Sequence, residues 1–543
     1  MSRKKTDSGA RASSRRTSGK GGKPFVDWKS KFDRIWCISY TGYPERRKPL
    51  ERELDRVGIL GSGVLEWHYT FKSIFDNILF DITKGANANE TVNATITSVA
   101  LAHYHCIKAS YELGDRRCLI LEDDIRFLKD VSSLRELIDE LPEDSDIALL
   151  DHVNNAAKWA DADEFKRNPS GMYEHVGRHF RRFGMLLGGG CYALSRRAMA
   201  MIIEMYEHCI EPADVYMAQR TLNTDLNRIC ADTAAAIQVE FEECNSSFEF
   251  GKEVVVRVYR ENGVDSSMYA DNDHGHAIRE AILPGYQRRN GSCGSRVPWN
   301  EKFDRIWCIA FTGYPDRPIP MLKELKRVGI YDSGLLEWKV NVPSCFDDIM
   351  FDLTCRMNMN TTKSKGVMSS VFGHYACVKA SLELGDKRIL VMEDDIRFLK
   401  DVDRLSRIVS SIRDDSDIVL LDYYCAYTGD ESETRRRFAS YRDDVVDDVF
   451  SRYGEMCSAG CYALSKRAME DIVRRCESKI EPFDMYLSTI SGNRNLNMHF
   501  PREQAACQTP VLFDTSNNSK VFGYGAAAFA ARLTGIDYSL FNV

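Results

Sequence analysis

The chain has 543 residues, 44% apolar and 28% charged; this is globular composition, enough for roughly two to four ordinary domains, and it excludes a single small module. The net charge of −7 hides a basic start: residues 1–24 hold eight Lys/Arg against one Asp, which leaves the remainder near −14 with no broad basic face for specific nucleic-acid binding. No stretch nears the roughly 18 uninterrupted apolar residues of a membrane span and no apolar secretory core opens the chain, so a cytoplasmic protein is expected.

In chain order, Ser2 to Lys23 is rich in Ser, Gly, Lys and Arg, cannot bury a core, and is expected to be a disordered tail. Arg34 to Ser39 reads as a short apolar strand, and Arg47 to Val57 as an amphipathic helix stopped by Gly58. Ser98 to Leu113 is a second helix ending at Gly114. The apolar run Cys118 to Leu121 then halts at three carboxylates. A helix over Leu128 to Leu141 and a strand over Ile147 to Leu150 follow. This alternation predicts an α/β fold with a mostly parallel central sheet.

The run from Trp28 to Asp151 matches Trp299 to Asp422 at a constant offset of 271, and similarity resumes one residue out of step at CYALS from Cys191 and Cys461. A period this long means two whole tandem domains. They are expected over residues 25–284 and 298–543, joined by a Gly/Pro/Ser-rich linker from Gly285 to Val297. Seventeen scattered cysteines without a Cys-x-x-Cys pair signal neither disulfide framework nor zinc ribbon, and the sequons at Asn89, Asn93 and Asn360 are read as chance matches.

The chemistry is expected at Glu122-Asp123-Asp124 and Glu393-Asp394-Asp395, each delivered by an apolar strand to the sheet edge where open α/β folds place ligands. Adjacent carboxylates repel unless a cation or donors neutralise them, and oxygen-only ligands suit Mg²⁺ or Mn²⁺. His103 and His374, on otherwise buried helix faces, read as hydrogen-bonded core histidines before ligands.

Four motifs in order, IWCISYTGYPERR and IWCIAFTGYPDRP, the helices holding His103 and His374, LEDDIRF and MEDDIRF, and CYALS followed by a Pro-x-Asp turn, resemble glycosyltransferase family 25, the lipooligosaccharide and procollagen galactosyltransferases. The resemblance implies two GT-A-like nucleotide-sugar-binding domains using Mn²⁺ and a UDP-sugar and inverting configuration. It implies metal binding by the two acidic triplets and donor binding by Arg46, Arg317, Thr41 and Thr312. Inversion needs a general base, for which Asp214 and Asp484 in the Pro-x-Asp turns are the candidates. The implied function is transfer of a hexose, galactose or glucose, to a glycan or protein hydroxyl by one or both domains. The chain departs from the family where Ala102 and Gly373 replace the serine before the histidine, and where Arg47 is matched by Pro318. The rival readings are a non-catalytic glycan- or nucleotide-sugar-binding scaffold, and a nucleotidyltransferase for which no Gly-rich triphosphate loop is visible.

Overall fold

The computed structural model describes residues 25–152, 172–238, 297–313, 317–425, 444–488 and 495–508, with a few positions between 433 and 440. The basic tail and all of the expected linker except Val297 lie outside the described residues.

The first half begins with β1 (Arg34–Tyr40), α1 (Arg47–Arg56), β2 (Leu65–Thr70), α2 (Ile74–Gly85) and α3 (Ala94–Glu112). It continues with β3 (Arg117–Glu122), β4 (Ile125–Phe127), α4 (Val131–Asp139), β5 (Ile147–Leu149), β6 (Met172–Val176), β7 (Phe180–Phe183) and β8 (Cys191–Ser195). It ends with α5 (Arg196–His208), β9 (Arg228–Ala231) and β10 (Ala236–Gln238). Its central sheet has the order β2-β1-β3-β8-β5-β9-β7-β6. Six of these eight strands run one way; β7 and β8 oppose them.

The second half repeats the design through β11 (Arg305–Phe311), α6 (Pro318–Arg327), β12 (Leu336–Asn341), α7 (Cys345–Arg356), α8 (Lys365–Glu383), β13 (Arg388–Glu393), β14 (Ile396–Phe398), α9 (Val402–Ser410) and β15 (Ile418–Leu420). Then come β16 (Tyr424–Cys425), β17 (Phe450–Arg452), β18 (Met456–Cys457), which pairs with β16 in a short ladder, β19 (Cys461–Ser465), α10 (Lys466–Ser478), β20 (Met498–Pro501) and β21 (Ala506–Gln508). The second sheet, β12-β11-β13-β19-β15-β20-β17, has five of seven strands in one direction. The expected α/β fold is observed, with mixed sheets: the CYALS strand enters each antiparallel to both its neighbours.

Side-chain alternation along β3 shows how the core is divided. Cys118 and Ile120 belong to one apolar layer while Leu119 and Leu121 belong to another, as period-two strand geometry requires. The outer layers are private to each half. The inner layer is continuous through both halves, with Tyr104 against Phe346 at 5.1 Å and its repeat equivalent Tyr375 against Phe75 at 5.4 Å. The long helices α3 and α8 begin alike, Asn93 and Ser364 accepting from the backbone N–H of Ile96 and Val367. Each of these helices stops before a glycine of positive φ, Gly114 at 85° and Gly385 at 82°. These helices set the histidines under the sheet edge.

Candidate functional site

The site of the first half forms where β3 ends. Glu122 N donates to the Gly190 carbonyl at 2.9 Å, so the acidic turn is pinned against the glycine segment entering β8. Gly190 is required there by close packing: an added methyl would stand 2.6 Å from Gln238 Cγ and 2.7 Å from Ile125 Cδ1. Gly460 is held in the same way, 2.5 Å from both Gln508 Cγ and the Asp422 carboxylate.

The three acids face different partners. Glu122 Oε1 lies 3.0 Å from His103 Nε2, and its other oxygen accepts from Gln238 Nε2 at 2.7 Å. Asp123 turns back into the protein, accepting from Tyr40 N at 2.7 Å and from Arg46 Nη1 at 3.1 Å. Asp124 sits 3.6 Å from the same guanidinium through Oδ2, while its Oδ1 is buried with no hydrogen-bond partner. Asp151, at the end of β5, accepts from Gly190 N at 3.1 Å and Cys191 N at 3.0 Å.

Burial first pushes Glu122 and Asp124 up to about 8, reinforced at Glu122 by the charges of Asp123 and Asp214 and at Asp124 by those of Glu122 and Asp123. Asp151 is likewise pushed up to about 8, by burial first and then by the charges of Glu122 and Asp124. Burial also lowers His103 to about 4, so its ring is neutral, with Nε2 3.0 Å from Glu122 Oε1 and Nδ1 2.8 Å from Tyr192 Oη. His103 and His374 are thus buried hydrogen-bonded histidines, and each orients one acid of its triplet.

The second half reproduces the constellation. His374 lies 2.8 Å from Tyr462 Oη and 3.0 Å from Glu393, Arg317 lies 3.4 Å from Asp394 and 3.3 Å from Asp395, and Gln508 donates to Glu393. Burial pushes Asp395 up to about 8, Asp422 to about 7 and Asp394 to about 6.

The candidate bases join this cluster. A methyl on Gly189 would be 3.7 Å from Asp214 Cβ and 3.8 Å from Glu122 Oε1, which places the Pro-x-Asp turn beside the acids. Asp484 is raised by burial and senses both Glu393 and His374. Arg46 and Arg317 occupy the loop after the first strand as expected, paired there with acids. Thr41 and Thr312 lie at the seam between the halves, where their hydroxyls donate to Glu383 and Glu112 of the opposite half. Arg47, whose repeat equivalent is Pro318, also belongs to the seam: it reaches Glu337 at 3.3 Å and stacks 3.5 Å over Trp67.

Asp151, Asp422, Gln238, Gln508, Tyr192 and Tyr462 complete the sites and were not anticipated. Asp151 and Asp422 carried a signal, since each ends an apolar strand and the run of internal identity stops on them. The glutamines carried none.

The halves differ beside the histidine. Phe483 stacks on His374 at 4.6 Å, where the first half has Ala213. The ring against Tyr486 is Phe483, at 5.6 Å; the ring against its equivalent Tyr216 is Tyr206, at 4.0 Å, from the position that is Cys476 in the second half.

Among the described residues no three His, Cys, Asp or Glu side chains are arranged to hold a metal ion. A magnesium-type site needs only one or two carboxylates, with water and phosphate oxygens completing the shell. Asp124 fits that requirement through its orphaned oxygen and Glu122 stands beside it with its oxygens met by His103 and Gln238, whereas Asp123 is turned away to Arg46 and the backbone.

The chain matches no family model and no curated protein. Among solved structures it is similar to mouse xyloside xylosyltransferase 1, at 10% identity over 36% of this chain and 84% of that one, TM-score 0.23. It is also similar to the glycosyltransferase GlyE of Streptococcus pneumoniae, at 9% identity over 66% and 90%, TM-score 0.23. A third likeness is to the bifunctional glycosyltransferase WbbM, at 8% identity over 83% and 84%, TM-score 0.21. TM-scores this low leave the functional argument to the residues of the two sites.

Proposed function

We propose that the protein is a metal-dependent, inverting glycosyltransferase of the family 25 type, moving a hexose from a UDP-sugar to a glycan or protein hydroxyl. The observation that carries this reading is the repetition, at matching positions in both halves, of one constellation: an acidic turn at a strand end, an arginine from the loop after the first strand, a helix histidine and a Pro-x-Asp carboxylate. The order of the four motifs supports it, as does the placement of every member at one sheet edge.

When bound, the divalent cation would neutralise charge on the leaving diphosphate. Glu122 and Asp124 would hold it, with Glu393 and Asp395 in the second half. Neutral His103 keeps Glu122 oriented through its Nε2. Asp123 holds Arg46 at the mouth of the site, and the guanidinium, shared with Asp124, is placed to meet phosphate oxygens. Asp214 accepts the proton of the attacking hydroxyl on a carboxylate oxygen, and Asp484 does so in the second half.

The test is UDP release from a panel of UDP-sugars with and without Mn²⁺. Metal-dependent release with at least one donor is expected. No turnover together with no metal-dependent UDP binding contradicts the reading. UDP binding without turnover favours the scaffold alternative.

A further inference from the structure

We propose that Glu383 and Glu112 are positioning residues that act across the seam, each fixing the arginine loop of the opposite half, so that neither site is complete without the other half. The functional part of this inference rests on the transferase reading; the mechanical part does not.

The seam obeys the internal repeat. Thr41 follows β1 and Thr312 follows β11 at the offset of 271, and the same offset relates Glu112 to Glu383. The Thr41 hydroxyl donates to Glu383, and the Thr312 hydroxyl donates to Glu112. Each contact implies the other, which is the signature of a two-fold interface built within one chain. Both threonines are buried, 2% and 7% exposed, and each hydroxyl also lies near a carbonyl of its own half, Thr70 O at 3.3 Å and Asn341 O at 3.5 Å, so the charged glutamate is the stronger of two acceptors that fix it.

On the loop side, Thr41 N donates to the Thr70 carbonyl at 2.9 Å, and the preceding Tyr40 N donates to Asp123 at 2.7 Å. The turns Tyr43 N to Tyr40 O at 3.1 Å and Arg46 N to Tyr43 O at 3.0 Å then carry the chain to Arg46, which closes back on Asp123 and Asp124. In the second half, Phe311 N donates to Asp394 at 3.1 Å and Arg317 reaches Asp394 and Asp395.

On the helix side, Glu383 ends α8, the helix whose His374 orients Glu393. Glu112 ends α3, whose His103 orients Glu122. Each of these two helices therefore touches its own acidic turn and the opposite half's arginine loop. A rigid helix of the second half and a short hydrogen-bonded loop of the first form a contiguous physical link to the first site. Glu383 has one further charged partner, Lys379 at 3.5 Å, which the substitution also releases.

The experiment uses the full chain. Amide hydrogen exchange over residues 40–47 is measured in the wild type, Glu383→Ala, Thr41→Val, Thr41→Ser and the double variant Thr41→Val/Glu383→Ala. Exchange in this first-half loop is expected to rise several-fold in Glu383→Ala although the substitution lies in the second half, equally in Thr41→Val, no further in the double variant, and not in Thr41→Ser. Glu112→Ala does the same to residues 311–313. In an Asp395→Ala background, Glu383→Ala is expected to raise the KM of the first site for its UDP-sugar several-fold with kcat little changed. Unchanged loop exchange in both Glu→Ala variants overturns the proposal, as does a rise spread evenly over the chain. Because exchange is read without substrate, absence of turnover would count against the transferase reading alone.

Discussion

Asp124 carries two opposed demands. Its carboxylate crowds against Glu122 and Asp151 with one oxygen buried and unpaired, which weakens the fold, yet this is the group best placed to meet a cation. Asp124→Asn is therefore expected to raise the melting temperature at neutral pH while lowering metal-dependent turnover of the first site by about a hundredfold or more; calorimetry beside a UDP-release assay reads both. The pairs Tyr206/Ala213 and Cys476/Phe483 exchange bulk between two positions around Tyr216 and Tyr486. Ala213→Phe alone is expected to cost about 1–3 kcal/mol by overpacking, and Tyr206→Cys in the same chain to recover most of it. A double-mutant cycle of denaturant midpoints checks this, and simple additivity would contradict it. These residues also mark the limit of reading the sequence: the acid triplets were visible because a strand ended on them twice, whereas a ring exchanged between a helix and a turn leaves no local pattern.

The strand–helix alternation was legible because it follows from periodicity. The helix expected over Ser98 to Leu113 spans Ala94–Glu112, and that over Arg47 to Val57 spans Arg47–Arg56, each limited by a glycine of positive φ. The helix expected over Leu128 to Leu141 is shorter, Val131–Asp139, because Asp130 caps it by accepting from Ser132 and Ser133 N. The reversed direction of the CYALS strand was not legible, since a strand buried on both faces shows the same apolar run in either orientation. That reversal brings the glycine segment onto the acidic turn. Gly190→Ala is expected to destabilise the first half by about 1–3 kcal/mol and to disturb the Gln238–Glu122 bond, because the methyl has no room between Gln238 and Ile125; a denaturant titration with unchanged midpoint would contradict this.

The repeat predicted two domains but not their shared apolar layer, because contacts between copies have no period of their own. The seam accounts for one departure that the family resemblance left open: Arg47, matched by Pro318, pairs with Glu337 of the opposite half, while Thr41 and Thr312 also reach across, each to the half opposite its own. A cavity of about 210 Å³ lies on the seam, lined by repeat-related pairs that include Asp76 with Asp347 and His68 with Lys339. Burial pushes both aspartates up to about 6, offset by the Ser98 hydroxyl at Asp76 and by Ser369, Ser344 and Lys339 at Asp347. Neutral aspartates suit the seam, so their contribution is complete below about pH 4 and is lost as pH rises through about 6. The double variant Asp76→Asn/Asp347→Asn is expected to be more stable than the wild type at pH 8, by about 1–3 kcal/mol, and little different at pH 4; equal effects at both pH values would contradict it. Among the described residues no helix is long and apolar enough to cross a membrane.

The proposed transferase activity places sugar transfer from a UDP-sugar at the acid clusters of one or both halves. It is tested most directly by Mn²⁺-dependent UDP release in the wild type, Asp124→Ala, Asp395→Ala and the double variant. The double variant is expected to retain folding and lose turnover, while the single variants show how the activity is divided between the halves. Full turnover in a folded double variant would contradict it.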